Sequence, residues 1–343
     1  MTQSLSLFQE VFGPIALGCP IALERNALLI LGAMILDALV GDLPGLFRVL
    51  PHPVVLFGRA IHWFDNRLNR DNRSAADRRL RGLITCLILV GGSGAGGLVL
   101  TLLVADLPFG WLLPLLLIAI LIAGRGLFDH VKAVAVALED QGLIAGREAV
   151  SRIVGRDPNA LDEAGVCRAA IESLAENFSD AVVAPIFWTL LFGLPGLLVY
   201  KMVNTLDSMV GYRTPRHEAF GWASARLDDL LNLIPARLAG LILCAAALFT
   251  PGASLVRALR VMGRDHDHHK SPNSGWPEAA MAGALALALA GPRLYPGQGE
   301  PSGQWIGEGR SQCGSGDIRQ ALWLFAVACL ILFGLVTAAA VSL

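Results

Sequence analysis

Long apolar runs alternate along this chain with polar, arginine-rich intervals. Charged residues are missing from Gly82 to Ala105, Leu107 to Gly124, Ala181 to Tyr200, Leu238 to Val256 and Ala321 to Leu343, with shorter gaps at Asn26 to Leu36 and Ala279 to Pro292. A helix that crosses a bilayer needs about 20 apolar residues, so the first and last of the long runs are the firmest spans. Between Arg59 and Arg81 stand seven arginines against three aspartates. An excess of that sign places the interval on the cytoplasmic side of a membrane.

Three apolar regions carry a Pro/Gly break near their middle: Leu107-Pro108-Phe109-Gly110, Leu194-Pro195-Gly196 and Thr250-Pro251-Gly252. Such breaks suit hairpin tips. The polar segments Arg125 to Asp180, Lys201 to Arg237 and Arg257 to Glu278 then all return to one face, the cytoplasmic one. The pattern predicts an all-α, polytopic integral membrane protein of Pro/Gly-tipped helical hairpins with cytoplasmic polar segments. It is read as a single membrane domain over 1–343, with an N-terminal extension (1–25) and first transmembrane helices around the basic loop (26–124). Next come a motif-rich region with apolar hairpins (125–278) and C-terminal helices with a Gly/Ser-rich loop at 297–315 (279–343).

Composition strengthens this reading. The 343 residues are 54% hydrophobic and 16% charged, with a mean hydropathy of +0.57, outside the range of soluble domains. A net charge of -1 offers no field for nucleic acid. Only Lys132, Lys201 and Lys270 are lysines, so the positive charge is nearly all guanidinium, which suits phosphate and carboxylate. The six cysteines stand apart, without a C-x-x-C pair, and predict neither a disulfide framework nor zinc. Ser4 to Leu23 contains Glu10 and lacks a basic start, so it does not read as a cleaved signal. Gly91 to Gly97 lies in an apolar run with no Lys-Ser/Thr after it, and is read as helix packing through Gly92 and Gly96 rather than as a phosphate loop.

Three clusters can carry chemistry. A helical pattern from Leu161 to about Leu190 sets Glu172, Glu176 and Asp180 at i, i+4 and i+8 on one face, flanked by Ser173 and Asn177. On an ordinary amphipathic helix this is a solvated face, but here the acids run into apolar sequence, which favours a cation or phosphate-metal site. Lys201, Asn204, Asp207, Ser208 and Gly211-Tyr212 form a second cluster, and Arg226, Asp228, Asp229, Asn232 and Arg237 a third. Acids that hold Mg²⁺ beside bases that hold phosphate are expected to wall a polar cavity. His266-Asp267-His268-His269 reads as a hydrophilic loop, not a transition-metal site. Ser271 to Glu278, with two prolines and a glycine, is too rigid for a linker.

These motifs resemble the cobalamin biosynthesis family called CbiB or CobD, the adenosylcobinamide-phosphate synthases. The likeness covers Leu36 to Arg319. It is carried by Leu36-Asp37, Gly41-Asp42, Pro51-His52-Pro53, Gly58-Arg59, Gly155-Arg156-Asp157, Arg168 to Asn177 with Asp180, Tyr200-Lys201 with Asn204 to Tyr212, Phe220 to Asp229 with Asn232 to Arg237, and Ser271 to Glu278. It implies an ATP- and Mg²⁺-dependent ligation of adenosylcobyric acid with (R)-1-aminopropan-2-ol or its O-phosphate. The setting it implies is the bacterial inner membrane, among lipid and other late cobalamin-pathway membrane enzymes, with the active site facing the cytoplasm. No Walker loop is present, so the nucleotide must be held otherwise.

Clusters and resemblance together assign Glu172, Glu176, Asp207 and Asp229 to catalysis. Asp42, His52, Arg156, Lys201, Asn204, Ser208, Arg226, Arg237, His269, Asn273 and Glu278 are assigned to substrate or nucleotide, and Asp180, Asp207, Asp228 and Asp229 to Mg²⁺. One competing class is a Mg²⁺-dependent intramembrane transferase on a diphosphate, which calls for paired D-x-x-D motifs that the clusters lack. The other is a non-catalytic membrane signalling protein like the AmpE relatives of the family, which has no need of three acid-amide clusters beside arginines.

Overall fold

The computed structural model describes residues 20–41, 47, 51–155, 157–291 and 303–342. In chain order the helices are α1 (Pro20–Val40), α2 (Pro53–Leu68), α3 (Ala75–Ala105), α4 (Leu112–Leu121), α5 (Gly124–Gln141), α6 (Leu143–Val150) and α7 (Glu163–Asn177). A π-helical turn, Phe178–Val183, leads into α8 (Ala184–Val210), and then come α9 (Trp222–Leu231), α10 (Leu233–Ala246), α11 (Leu255–Asp265) and α12 (Gly275–Leu285). Two short strands, β1 (Leu289–Ala290) and β2 (Trp305–Ile306), pair antiparallel before α13 (Ser315–Ser342). Several starts are written locally. Ser74 accepts from Asp77 N–H, Asp162 from Gly165 N–H and Ser254 from Arg257 N–H, so a side-chain oxygen satisfies an orphan donor at each N-terminus.

The protein is an all-α polytopic membrane protein. Among the described residues four stretches are long and apolar enough to cross a bilayer, Ala75–Ala105, Leu112–Gln141, Glu163–Val210 and Ser315–Ser342. The bent pair Trp222–Leu231 and Leu233–Phe249 makes a fifth if it is one span.

Each Pro/Gly tip breaks the chain. Residues 106–111 form the turn between α3 and α4. Thr250 to Ala253 turn between α10 and α11, with Gly252 at φ 76° and Gln320 donating to Pro251 O at 2.8 Å. The middle break falls one residue early, at Gly193 (φ 62°, ψ -147°), inside α8. There the chain doubles back: a Cβ on Gly196 would lie 2.3 Å from Trp188 O, whereas residues eight apart in a straight helix are separated by about 12 Å. Asn26 Nδ2 donates to Leu190 O at 3.1 Å, satisfying a carbonyl at the break. In a bilayer that carbonyl would otherwise lack any partner.

The chain forms two compact units. One comprises Met1–Ile122, Ala184–Leu231 and Val336–Leu343, the other Ala123–Val183 and Asn232–Leu335. In the first, Ile61, Cys86, Leu89, Met202, Leu206, Val210, Phe220 and Ala223 form a buried cluster from α2, α3, α8, α9 and the turn before α9. The glycine run of α3 does pack, but not through Gly92 and Gly96, whose added Cβ atoms would meet nothing within 4 Å. The buried stripe is Ser93, Gly97 and Thr101. A Cβ on Gly97 would lie 2.7 Å from Pro195 Cα. The small-xxx-small register is therefore displaced by one position, set by where the α8 break presents its proline.

In the second unit α12 is buried along almost its whole length. Within the charge-free run from Ala279 to Pro292, α12 ends at Leu285 with Ala286 left-handed at φ 56°. Arg257 donates to the last carbonyls, Gly283 O at 2.6 Å and Ala284 O at 2.9 Å. The Gly/Ser-rich segment partners the residues just beyond the helix: Arg310 N–H donates to Ala286 O and Ala288 N–H to Arg310 O. With its backbone groups met this way, the chain can leave the helix while still buried. Asp265, buried at the end of α11, anchors the same segment by accepting from Gly307 N–H at 2.7 Å and from Arg264. Burial alone would raise the Asp265 carboxyl, and these donors more than reverse that, holding it below the usual range.

Candidate functional site

The second unit gathers six of the sequence-predicted residues into a connected polar patch. Glu172 and Glu176 lie one turn apart on α7, and Glu172 is only 7% exposed. Its Oε1 accepts from Ala290 N–H at 2.8 Å, a residue held at φ 58° just after α12. Glu176 Oε1 accepts from Ser274 Oγ–H at 3.0 Å. Ser173 and Asn177 complete the flank: Ser173 donates to Ile153 O at 2.8 Å and Asn177 Nδ2 to Ser173 O at 2.9 Å.

The rigid segment Ser271 to Glu278 links these acids to a base. Arg237, from α10, donates to Asn273 Oδ1 at 3.3 Å and lies 4.6 Å from the Trp276 ring centre. Glu278 is 3% exposed. It sits in the first turn of α12, where the helix dipole favours an anion, and its Oε1 is 3.9 Å from His269 Nε2. Such a set offers oxygen donors, one guanidinium and an imidazole.

The four-residue histidine loop is divided among separate tasks. His266 packs against Trp276 with ring centres 4.1 Å apart. His268 Nδ1 is 2.8 Å from Trp305 O, and His269 Nδ1 accepts from Ser271 N–H at 3.0 Å. Asp180 falls inside the π turn. That turn interrupts the 3.6-residue period, so the acidic stripe read at i, i+4 and i+8 is continuous only over Glu172 and Glu176.

For Mg²⁺ the donor set is all oxygen and sparse. No group of three His, Cys, Asp or Glu able to hold a metal is found among the described residues. Mg²⁺ commonly takes one or two carboxylates, substrate phosphates and water rather than a closed protein cage. Glu172 and Glu176 with neighbouring Ser274 and Asn273 fit that role for a metal delivered with phosphate.

The first unit holds the other described site residues: His52, Lys201, Asn204, Asp207, Ser208, Arg226, Asp228 and Asp229. Lys201 is buried on α8, and Ser208 donates to Asn204 O at 2.8 Å. Glycines let the end of this helix close on itself. A Cβ on Gly211 would lie 2.0 Å from Asp207 Oδ1, and one on Gly221 would lie 1.7 Å from Val210 O. Arg226, Asp228 and Asp229 lie beyond them on α9. His52 caps α2, its Nδ1 accepting from Val54 N–H at 3.2 Å. Asp42 and Arg156 lie outside the described residues.

One network in this unit was not found from the sequence. Asp65, buried near the end of α2, accepts from Asn69 Nδ2 at 2.7 Å and Arg216 Nη2 at 2.8 Å, with His217 Nε2 at 3.4 Å. Arg78 reaches Asn69 Oδ1 at 2.8 Å and the carbonyl of Arg216. This pins the loop between Tyr212 and Phe220, which joins the Asp207 and Asp229 clusters in sequence. Burial raises the Asp65 carboxyl, but the bonds from Arg216, Asn69 and His217 outweigh it and hold the group below its usual range. The available signal was Asp65 and Asn69 at i, i+4 on a mostly apolar helix.

Comparison with known proteins adds an independent finding. The family model described as "CobD/Cbib protein" matches residues 30–325. A protein named "Cobalamin biosynthesis protein CobD" from Sinorhizobium sp is 53% identical over 321 residues, covering 93% of this chain and 99% of the relative. Proteins of the same name are 47% identical in Brucella anthropi, over 92% of this chain and 98% of the relative, and 50% identical in Rhodobacter capsulatus, over 76% and 80%. No solved structure matches.

Proposed function

Since the chain belongs to the CobD/Cbib protein family and so takes part in cobalamin biosynthesis, we propose that it is an adenosylcobinamide-phosphate synthase. In this reading it joins a carboxylate of adenosylcobyric acid to (R)-1-aminopropan-2-ol, or to its O-phosphate, at the expense of ATP and with Mg²⁺. The reaction takes place in the bacterial inner membrane with the reacting groups toward the cytoplasm, beside other late enzymes of the same pathway.

The observation that carries the reading is the pair Glu172, buried, and Glu176, half-buried, one helical turn apart, with Ser274 bonded to Glu176 and Asn273 and Arg237 next along. Two carboxylates at that spacing repel each other, more so when desolvated. A cation relieves the repulsion. Mg²⁺, when bound with nucleotide, would neutralise phosphate charge there. Amide formation also requires a proton to leave the amine as its lone pair forms the C–N bond and the activated acyl oxygen departs with phosphate. Glu176 is the proposed acceptor of that proton, and Arg237 the proposed holder of the departing anion. In the first unit, Asp207 and Asp229 are proposed to bind metal-phosphate, with Lys201 and Arg226 as counter-charges.

Purified protein supplied with adenosylcobyric acid, ATP, Mg²⁺ and each amine in turn is expected to form the corresponding amide, read by mass spectrometry. Absence of amide with both amines, from protein that is folded and monodisperse, refutes the ligase reading.

A further inference from the structure

We propose that Arg79 and Trp222 form a headgroup site for an anionic phospholipid whose acyl chain lies along the outer face of α3. The site lies wholly within the first unit and does not depend on the ligase reading. From Arg79 to the end of α3 at Ala105 the helix rises about 39 Å at 1.5 Å per residue, more than the hydrocarbon core of about 30 Å. Arg79 therefore stands at headgroup level, at the arginine-rich end of the span. Beyond it the exposed Leu83 and Leu87 continue the same ridge at four-residue spacing, beside Leu80, Ile84 and Ile88. That ridge faces hydrocarbon.

A close backbone approach brings the two side chains together. Gly82 is buried, and the place of a Cβ on it is already taken by Phe220 O, so the turn before α9 presses against the start of α3. Only glycine permits that approach. Trp222 opens α9 two residues later and is 41% exposed, as suits a tryptophan at a membrane boundary. The Arg79 guanidinium lies 4.9 Å from its ring centre. Stacking on the ring fixes the plane of the fork and leaves its edges open to a ligand.

The nearby acids are already engaged. Asp77 faces both Arg73 at 3.7 Å and Arg81 at 3.0 Å, and Asp65 accepts from Arg216. Arg79 has no hydrogen-bond or ion-pair partner among the described residues. Arg59 and Arg67, also without an acid partner among the described residues, share an exposed face of α2 with Trp63, and Arg67 lies 5.9 Å from that ring centre. The local field is thus positive and uncompensated. A phosphodiester can accept two parallel bonds from one guanidinium. A zwitterionic headgroup brings its own ammonium into this field, whereas phosphatidylglycerol brings net negative charge. The ridge under the fork takes an acyl chain, which a soluble anion lacks.

The test uses the full chain in detergent with equal amounts of dioleoyl phosphatidylglycerol and dioleoyl phosphatidylcholine, reading by native mass spectrometry which lipid the protein retains. Wild type is expected to prefer phosphatidylglycerol, and Arg79→Gln to lower that preference roughly fivefold, the effect of one guanidinium near an anionic surface. Trp222→Leu keeps the charge but frees the fork, and is expected to lower the preference about twofold or more. Arg152→Gln is the control: it removes an exposed guanidinium that already has Glu148 as its partner, and should leave the preference as it was. No preference in wild type, or an unchanged preference in folded Arg79→Gln, overturns the proposal. An equal loss in Arg152→Gln also overturns it, since net charge then accounts for the effect. Displacement of phosphatidylglycerol by inorganic phosphate at the same concentration identifies a free-anion site and overturns the lipid assignment. If Arg79→Gln does not fold, an unchanged preference in Trp222→Leu decides against the site.

Discussion

Replacing Asp65 by Asn should loosen the loop between the Asp207 and Asp229 clusters while leaving the helices in place. The carboxylate is 7% exposed and its partner Asn69 only 2% exposed. In the variant, one of the two oxygens that face Asn69 Nδ2 and Arg216 Nη2 becomes an NH₂ turned toward a donor. A buried hydrogen bond to a charged group contributes about 1.5–3 kcal/mol. The Arg216 side chain is nearly half exposed, so its pairing is screened and adds at most about 1 kcal/mol. A total of about 1.5–4 kcal/mol corresponds to roughly 10- to 1000-fold in the opening equilibrium. The reporters are loop amides whose bonds are local, Glu218 N–H to Thr214 O at 2.8 Å and Gly221 N–H to His217 O at 2.7 Å. Their hydrogen exchange should accelerate by that factor at pH 7. Because the folded pKa of Asp65 lies below its unfolded value, the wild-type advantage is full above the usual carboxylate pKa of about 3.9 and is lost as pH falls through the lowered value. Acceleration under threefold at pH 7, or an advantage that already shrinks between pH 8 and pH 5, would refute the reasoning.

Gly97→Val should lower thermal stability in detergent by about 1–3 kcal/mol, since the nearest neighbours of its Cβ are backbone atoms of Leu194 and Pro195 that cannot swing aside; Gly92→Ala, facing open space, should stay within about 0.5 kcal/mol. Asp207→Asn and Asp229→Asn should each abolish amide formation in the mass-spectrometric assay while membrane insertion persists, and a wild-type rate removes that residue from the site. Glu176→Gln separates two roles: recovery at high Mg²⁺ marks a metal ligand, whereas a reduced rate at every Mg²⁺ concentration with a shifted pH profile marks a base. Because α3 is a spanning helix, single cysteines at Asp71 and Leu107 in a Cys-depleted background should label from opposite membrane sides, Asp71 from the cytoplasmic one.

The all-α membrane architecture, the places where apolar runs turn, and the family were legible in the chain alone. Those properties are written locally or in contiguous motifs: a charge-free run of sufficient length has only the helix as a way to satisfy its backbone in lipid, and Pro with Gly marks where that helix stops. What lay between distant stretches was not legible. Gly92 and Gly96 share the spacing of Ser93 and Gly97, and only the position of Pro195 chooses which pair is buried. Glu172 and Glu176 read as a pair from spacing, but that Ala290 N–H and Ser274 Oγ–H would meet them required the chain to fold back across more than 90 residues. Asp65 is one of three aspartates between Arg59 and Arg81, and its partner Arg216 comes from the loop after α8, about 150 residues on. Helical period and hydropathy depend on a residue's near neighbours, while burial and partner choice depend on tertiary approach, and so the elements could be read in advance and the partners of their polar groups could not.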